Sequence, residues 1–431
     1  MPDYTRRSFL KILGGAGVSA TAFGLFGCSS NGDAGDSTGA AGTELNLNDW
    51  DAILEAAKGT TVTYIGYSQI SAYSMYFNNV FAPEIKDKYD LSLNYTPVDA
   101  TADINTLWMG EKQAGYKQGD GSTDLAWTST GNFADLKKND LLWGDFVQYL
   151  PNMQYYDKSA TGINYDASVA IDGTESLFGS SFFALIYDST TCAEADAPRN
   201  ATELLAYAKD NPGRVTYSAL PDYQGSYMVR TLVMDICGKD VFQKMPEGIT
   251  YDEMKEQIAE GLNYLRELNP YLWNEGKTYP AAYSDWAKMF ADAETDFVFD
   301  QAWVQASIDA GMFPKTAHSV LVDYSISLPH YLALSFDCPN IAGALVMANE
   351  FLDPIGMCER SVMGYPPAVD CMDMEKLTAE QLDAIEECER LYGQNSPTLA
   401  ELGEHAVPDI PGWCETVLED IWLNEVAAKT N

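Results

Sequence analysis

The chain has 431 residues, of which 46% are apolar and 12% aromatic, enough to build the cores of more than one globular domain. Its 63 acidic side chains against 26 basic ones give a formal charge of −37, a field that repels nucleic acid and anionic lipid. Polyanion binding is thereby excluded as a leading function, and the charge is left to serve solubility or the attraction of cations.

In chain order, Arg6 and Arg7 precede Ser8, Phe9, Leu10 and Lys11, an arrangement that resembles the twin-arginine export signal. Residues 12–26 then form an apolar stretch that carries four glycines, and it falls short of the roughly twenty apolar residues that span a bilayer. Leu25, Phe26, Gly27 and Cys28 resemble a lipobox, in which the Cys28 thiol would carry diacylglycerol, and two acyl chains suffice for stable anchoring. Residues 29–43 hold no large apolar side chain and read as a flexible tether. The expected division is therefore a signal over 1–28, a tether over 29–44, and a folded body from 45 onward held beside a membrane.

The body reads as alternating strands and helices. Strands are expected at 61–65, 91–95 and 125–128, with helices to about 89, at 104–116 and from about 132. A second series follows, with strands at 182–187, 215–217 and 297–299 and helices at 202–210, 227–237, 251–268, 284–291 and 304–310. After strands at 320–322 and 331–334, the segment from Ile341 is mostly helical, with solvated acidic faces such as 380–390. This alternation predicts an α/β protein with largely parallel sheets, whose ligand crevice lies beyond the carboxyl ends of the strands.

Motifs for catalysis are missing. The sequence has no G-x-S-x-G, no H-E-x-x-H and no G-x-G-x-x-G, so a serine elbow, a zinc hydrolase and a dinucleotide site lack their signatures, and no cofactor is called for. His318, His330 and His405 are scattered and read as structural, leaving no metal site. Seven cysteines besides Cys28 match no zinc spacing and read as core thiols or one or two bridges.

What stands out is polar and aromatic residues just after the predicted strands. They are Tyr67, Ser68 and Gln69; Ser129, Thr130, Gly131 and Asn132; Tyr223, Gln224, Gly225 and Ser226; and Gln301 with Trp303. Small residues admit backbone amides, hydroxyls and amides supply directed hydrogen bonds, and rings cover apolar faces of a ligand. Helix N-termini at Asn132 and Ser226 would offer free N–H groups to an anion.

The segment STDLAWTSTGNFADLKKNDLLWGDFVQYLPNMQYYD resembles the solute-binding lipoproteins of ABC importers, specifically the YnjB-type group. FFALIYDSTTCAEADAPRNATELLAYAKDNPGRVTYSALPDYQGSYMVR and NPYLWNEGKTYPAAYSDWAKMFADAETDFVFD resemble later segments of the same family, in order. The resemblance implies a two-lobed type II periplasmic-binding-protein fold with hinge crossings and a helical C-terminal segment. It places 45–181 and 331–431 in a discontinuous first lobe and 182–330 in the second. It implies a non-enzymatic, extracytoplasmic monomer that captures a small solute in the cleft, with ABC permease subunits as partners and a lipid anchor in the membrane. The solute is left open between an organic cation, of thiamine-like or polyamine type, and an anion. An exported enzyme and a sensor without transport are the alternative functions.

Overall fold

The computed structural model describes residues 45–67, 71–98, 101–128 and 130–428. The signal, the tether, Cys28, Ser68, Gln69 and Ser129 lie outside the described residues.

Twelve strands organise the described chain: β1 Thr61–Tyr67, β2 Ser92–Val98, β3 Leu125–Thr128, the short hairpin β4 Tyr165–Asp166 and β5 Val169–Ala170, β6 Glu175–Gly179, β7 Phe183–Asp188, β8 Phe297–Gln301, β9 Ala317–Val320, β10 Ser325–Ser327, β11 His330–Leu334 and β12 Ala406–Pro408. The larger sheet runs β2-β1-β3-β11-β6; β1 is parallel to β2 and β3, while β11 is antiparallel to β3 and β6. Its central strands read as continuous apolar runs because both faces are covered. One face carries the aromatic cluster of Tyr64, Phe77, Phe81, Phe178 and Phe351, and the other packs Ile65, Ala126 and Ala333 on Ile104 and Trp108.

The smaller sheet is β8-β7-β9, antiparallel throughout, and it anchors a second core. Leu185 and Phe299 from the sheet meet Val229 and Val233 of the helix Tyr223–Cys237 and Leu265 of the helix Ala259–Leu268. The two cores correspond to two lobes, and the chain between them is stitched at one seam. Ser181 N–H donates to Leu328 O at 3.0 Å, Leu328 N–H returns a bond to Ser181 O at 2.8 Å, and Ser325 Oγ donates to Phe183 O at 2.8 Å.

The seam holds a third pass that the sequence reading lacks. β12 lies parallel to β10, pairing Ile326 with Val407, and the helix Gly412–Trp422 then buries Cys414, Leu418, Ile421 and Trp422 in the second core. Residues 331–406 thus pack with the first core, but Val407 and the helix Gly412–Trp422 pack in the second, whereas the resemblance implied one lobe over 331–431. The reason is that an apolar helix face joins whichever core its entry strand leads to, and β12 hydrogen-bonds on the second-lobe side of the seam.

Other differences are local. Residues 215–217 form a single bridge, Val215 to Leu272, because the chain turns away before a ladder can extend. The helix expected over 251–268 breaks at Ile258, whose φ of −102° and ψ of 19° divide Tyr251–Gln257 from Ala259–Leu268. All seven described cysteines are free thiols, so no bridge forms among them.

Trp422 is a direct check on the third pass. Its ring meets Tyr279 at 5.0 Å edge-on, and its Nε1 donates to Tyr217 Oη at 3.2 Å. Trp422→Ala should destabilise the protein by about 3–5 kcal/mol in urea denaturation, the usual cost of emptying an aromatic site in a core. A cost within ~0.5 kcal/mol would place the helix outside the second core.

Candidate functional site

The carboxyl end of β8 lies beside the start of the helix Tyr223–Cys237, where Asp300 takes a hydrogen bond from the Gln224 side chain. Gly364 marks the contact between the lobes. At its φ of +89° a side chain is strained, and a Cβ there would stand 3.6 Å from Gln301 Oε1 and 3.9 Å from the Ala306 Cβ of the opposite lobe. Those distances are ordinary van der Waals contact, so it is the left-handed backbone and not crowding that favours glycine here.

Aromatic rings line both sides. On the first lobe, Tyr365 packs edge-on to His330 at 4.5 Å and shares a 2.7 Å hydroxyl contact with Tyr73, while His330 stacks on Trp127 at 5.1 Å. On the second lobe, Phe183 stacks on Tyr227 at 4.3 Å, and Tyr223 lies edge-on to Tyr227 at 4.5 Å with 49% of its surface open. An exposed ring braced by buried rings is a platform for the apolar part of a ligand.

The polar groups are arranged to a different plan from the expected one. The helix begins at Tyr223, not Tyr227, and Asp222 caps it: its Oδ1 accepts from Gly225 N–H at 3.3 Å and from the Ser218 hydroxyl, and its Oδ2 accepts from Tyr283 N–H at 2.8 Å. A carboxylate therefore already occupies the positive end of the helix, which is the place proposed for an anion from sequence. Gly225 is required here because a Cβ would stand 2.0 Å from Ser218 O. Ser226 is buried in the first turn, and its backbone N–H bonds to Asp222 O.

Next to this cap, Asp300 accepts hydrogen bonds from the Tyr283 hydroxyl and the Gln224 side chain. Burial raises its carboxyl above the ordinary range, and the Tyr283 hydroxyl, the Gln301 backbone N–H and the Gln224 side chain draw it back in part. Behind it, Asp409 binds Arg230 Nη1 at 2.9 Å and the Tyr227 hydroxyl at 2.8 Å, and Glu415 takes Arg230 Nη2 at 3.0 Å.

Of the residues singled out from sequence, Tyr223, Gln224 and Gln301 come together at the lobe boundary. Gly225 and Ser226 support them from the helix. Asn132 is buried, and its carbonyl accepts from Asn105 Nδ2 at 3.2 Å, tying two first-lobe helices together. Trp303 is buried within the first core, away from solvent. Tyr67 ends β1, and Thr130 and Gly131 open the helix Thr130–Lys138. Sequence reasoning missed Asp222, Tyr283, Asp300, Gly364 and Tyr365. Asp300 left a trace, as a lone charge in the apolar strand FVFDQ, and Asp222 directly precedes the noted YQGS. Among the described residues no group of three or more His, Cys, Asp or Glu side chains is placed to hold a metal ion.

Two lobes on separate sheets, joined at a seam and facing one another across aromatic and polar walls, define the type II periplasmic-binding class. The chain belongs to the bacterial extracellular solute-binding protein family, which it matches over residues 82–378, and the family acts outside the cytoplasmic membrane. It is 29% identical over 386 residues to protein YnjB of Escherichia coli (strain K12), covering 88% of this chain and 94% of that one. In fold it is similar to the spermidine/putrescine ABC transporter substrate-binding protein PotD of Streptococcus pneumoniae, with a TM-score of 0.57 at 13% identity, over 85% of this chain and 98% of that one. It is also similar to the cyclic alpha-maltosyl-1,6-maltose binding protein of Arthrobacter globiformis, with a TM-score of 0.61 at 15% identity, over 86% and 98%. Those two names carry a polyamine and a sugar, so the fold alone does not select a solute.

His330 gives the site a pH signature. Burial lowers its pKa to about 3 from the usual 6.5, and Nε2 shares a 2.9 Å hydrogen bond with Ser181 Oγ. Because the folded value lies below the unfolded one, the neutral imidazole contributes stability above pH 6.5 that is lost as pH falls toward 3. Between pH 7 and pH 5 that loss should be about 2 kcal/mol in urea denaturation. His330→Gln should remove it; an unchanged pH slope in the variant would assign the effect elsewhere.

Proposed function

We propose that the chain is a lipid-anchored receptor that captures a small polar organic solute between its lobes and hands it to an ABC importer. The observation that carries this is the lobe boundary itself, where the open ring of Tyr223 and the Gln301 amide of one lobe face Gly364 and Tyr365 of the other. Hinge closure about such a boundary both sequesters a solute and creates the surface that a permease reads. In this reading the first lobe comprises 45–181 and 330–405, and the second 182–329 and 406–428. Cys28 carries the lipid after export by the twin-arginine route and keeps the receptor beside its transporter.

An organic cation is the favoured cargo. Asp222 fills the helix end where an anion would sit, and the chain's charge of −37 raises the local concentration of cations. Tyrosine faces suit cation-π contact with such a ligand.

Thermal unfolding of the purified chain against a panel of small solutes tests the capture step. A true ligand stabilises by about 2.7 kcal/mol at a hundred times its dissociation constant. A protein stripped of carried-over ligand that responds to no solute would overturn the reading. For the anchor, Cys28→Ser should move the protein from the membrane fraction to the soluble fraction of cells; retention in the membrane would rule out lipid at that thiol.

A further inference from the structure

Among the described residues of the second lobe, four carboxylates are buried: Asp296, Asp300, Asp409 and Glu425. Three of them have a cation at hand. Asp296 takes Arg214 Nε at 3.1 Å, Asp409 takes Arg230 Nη1 at 2.9 Å, and Glu425 takes Lys255 Nζ at 2.5 Å and Arg266 Nη2 at 2.8 Å. Asp300 is the exception. It is 9% exposed, and its side-chain partners are the neutral Tyr283 hydroxyl and Gln224 amide. Removing a carboxylate from water without a counter-charge is costly; Asp124 of the first lobe meets that cost with two backbone amides, whereas Asp300 meets it with neutral donors at a place where a solute can add a positive charge.

The position of Asp300 says where the charge comes from. It takes a hydrogen bond from the Gln224 side chain, next in sequence to the half-open ring of Tyr223, and the residue after it, Gln301, stands across from Gly364 of the first lobe, so the carboxylate lies beside the lobe boundary. A carboxylate accepts at about four lone-pair positions. Tyr283, Gln224 and the Gln301 backbone N–H use three and fix the orientation of the group, leaving one for a further donor. Tyr223, the residue next to Gln224, presents its half-open ring alongside. No set of metal ligands gathers among the described residues, so an inorganic ion is not the partner that this arrangement fits.

We infer that Asp300 is the specificity-determining group of the solute site, and that the counter-charge it lacks is a protonated amine or comparable organic cation carried by the solute. The inference rests on the solute-receptor reading. Tyr283 and Gln224 act as positioning residues, and Tyr223 covers the apolar part of the cation.

The test compares the purified wild-type chain with Asp300→Asn, and with Glu380→Gln as an exposed acidic control outside the site. Calorimetric titration uses putrescine, spermidine and thiamine as cations, maltotriose as a neutral solute and citrate as an anion. The expected result is saturable binding of a cation, weakened at least tenfold by Asp300→Asn and unchanged by Glu380→Gln. Asp300→Asn without solute should melt at the same temperature as wild type or higher, since it removes an uncompensated buried charge. That combination separates a ligand anchor from a structural carboxylate, whose loss lowers the melting temperature. If Asp300→Asn does not fold, Tyr283→Phe carries the test, with cation affinity falling several-fold. Equal cation binding by wild type and Asp300→Asn overturns the inference, as does selective binding of maltotriose or citrate, and in both cases solute capture stands. Binding of none of the five by ligand-stripped wild type overturns the inference, and only the wider solute panel then decides the receptor reading.

Discussion

Everything in this molecule hangs on one seam, where three passes of chain lie side by side. Ser181 to Phe183 enters the second lobe, Ser325 to Leu328 leaves it, and Ala406 to Pro408 enters it again. Because these passes hydrogen-bond to one another, the lobes cannot separate without breaking a ladder, yet they can rotate about it. The side chains at the seam are mostly short hydroxyls. Ser180, Ser181, Ser325 and Ser327 bond to each other, to His330, to Asp370 and to backbone carbonyls. Small polar groups of this kind satisfy a buried backbone while demanding little volume, which suits a region that must change its torsions without opening a cavity.

The two lobes solve the problem of a strongly acidic composition differently. The second sets Arg214, Arg230, Lys255 and Arg266 against three of its four buried carboxylates. In the first, Asp124 is held instead by the backbone amides of Thr63 and Asn340, at 2.7 Å each. Arg360 is fully buried there without a carboxylate: it donates to Phe178 O at 3.1 Å and to Phe351 O, with its guanidinium about 5 Å from both rings. The stacked cation thus cross-links β6 to the helix Ile341–Phe351. Scarce positive charge is used where it fixes tertiary structure, and the boundary between the lobes is left net acidic.

Much of this was legible in sequence because it depends on local pattern. β1, β3 and β7 appear as short β-branched and aromatic runs, and the family resemblance orders them into two lobes. The polar cluster at Tyr223, Gln224 and Gln301 could be named because strand ends are where crevices form. The missed parts depend on long-range choices. Whether Asp222 or a later residue caps its helix turns on Ser218 and Tyr283, the second of which lies 61 positions away. Asp300 could not be told from the other acids of its lobe until its neutral side-chain partners were visible. Trp303 reads as a ligand-facing ring from its neighbours, but the turn after β8 rotates it into the first core.

The third pass also bears on the order in which the protein comes into being. The second lobe begins at Phe182, yet its core is filled by Leu418, Ile421 and Trp422, and the first sheet needs β11 to join β3 to β6. During translation neither half can therefore finish as it leaves the ribosome; each waits for a strand or helix made much later. The nascent chain must keep open apolar surfaces and seven free thiols until residue 422 and its neighbours are available. The first lobe thus closes once residues up to 405 are made and the second only with the final helix, so a ribosome that stops before that helix leaves the second lobe unfinished.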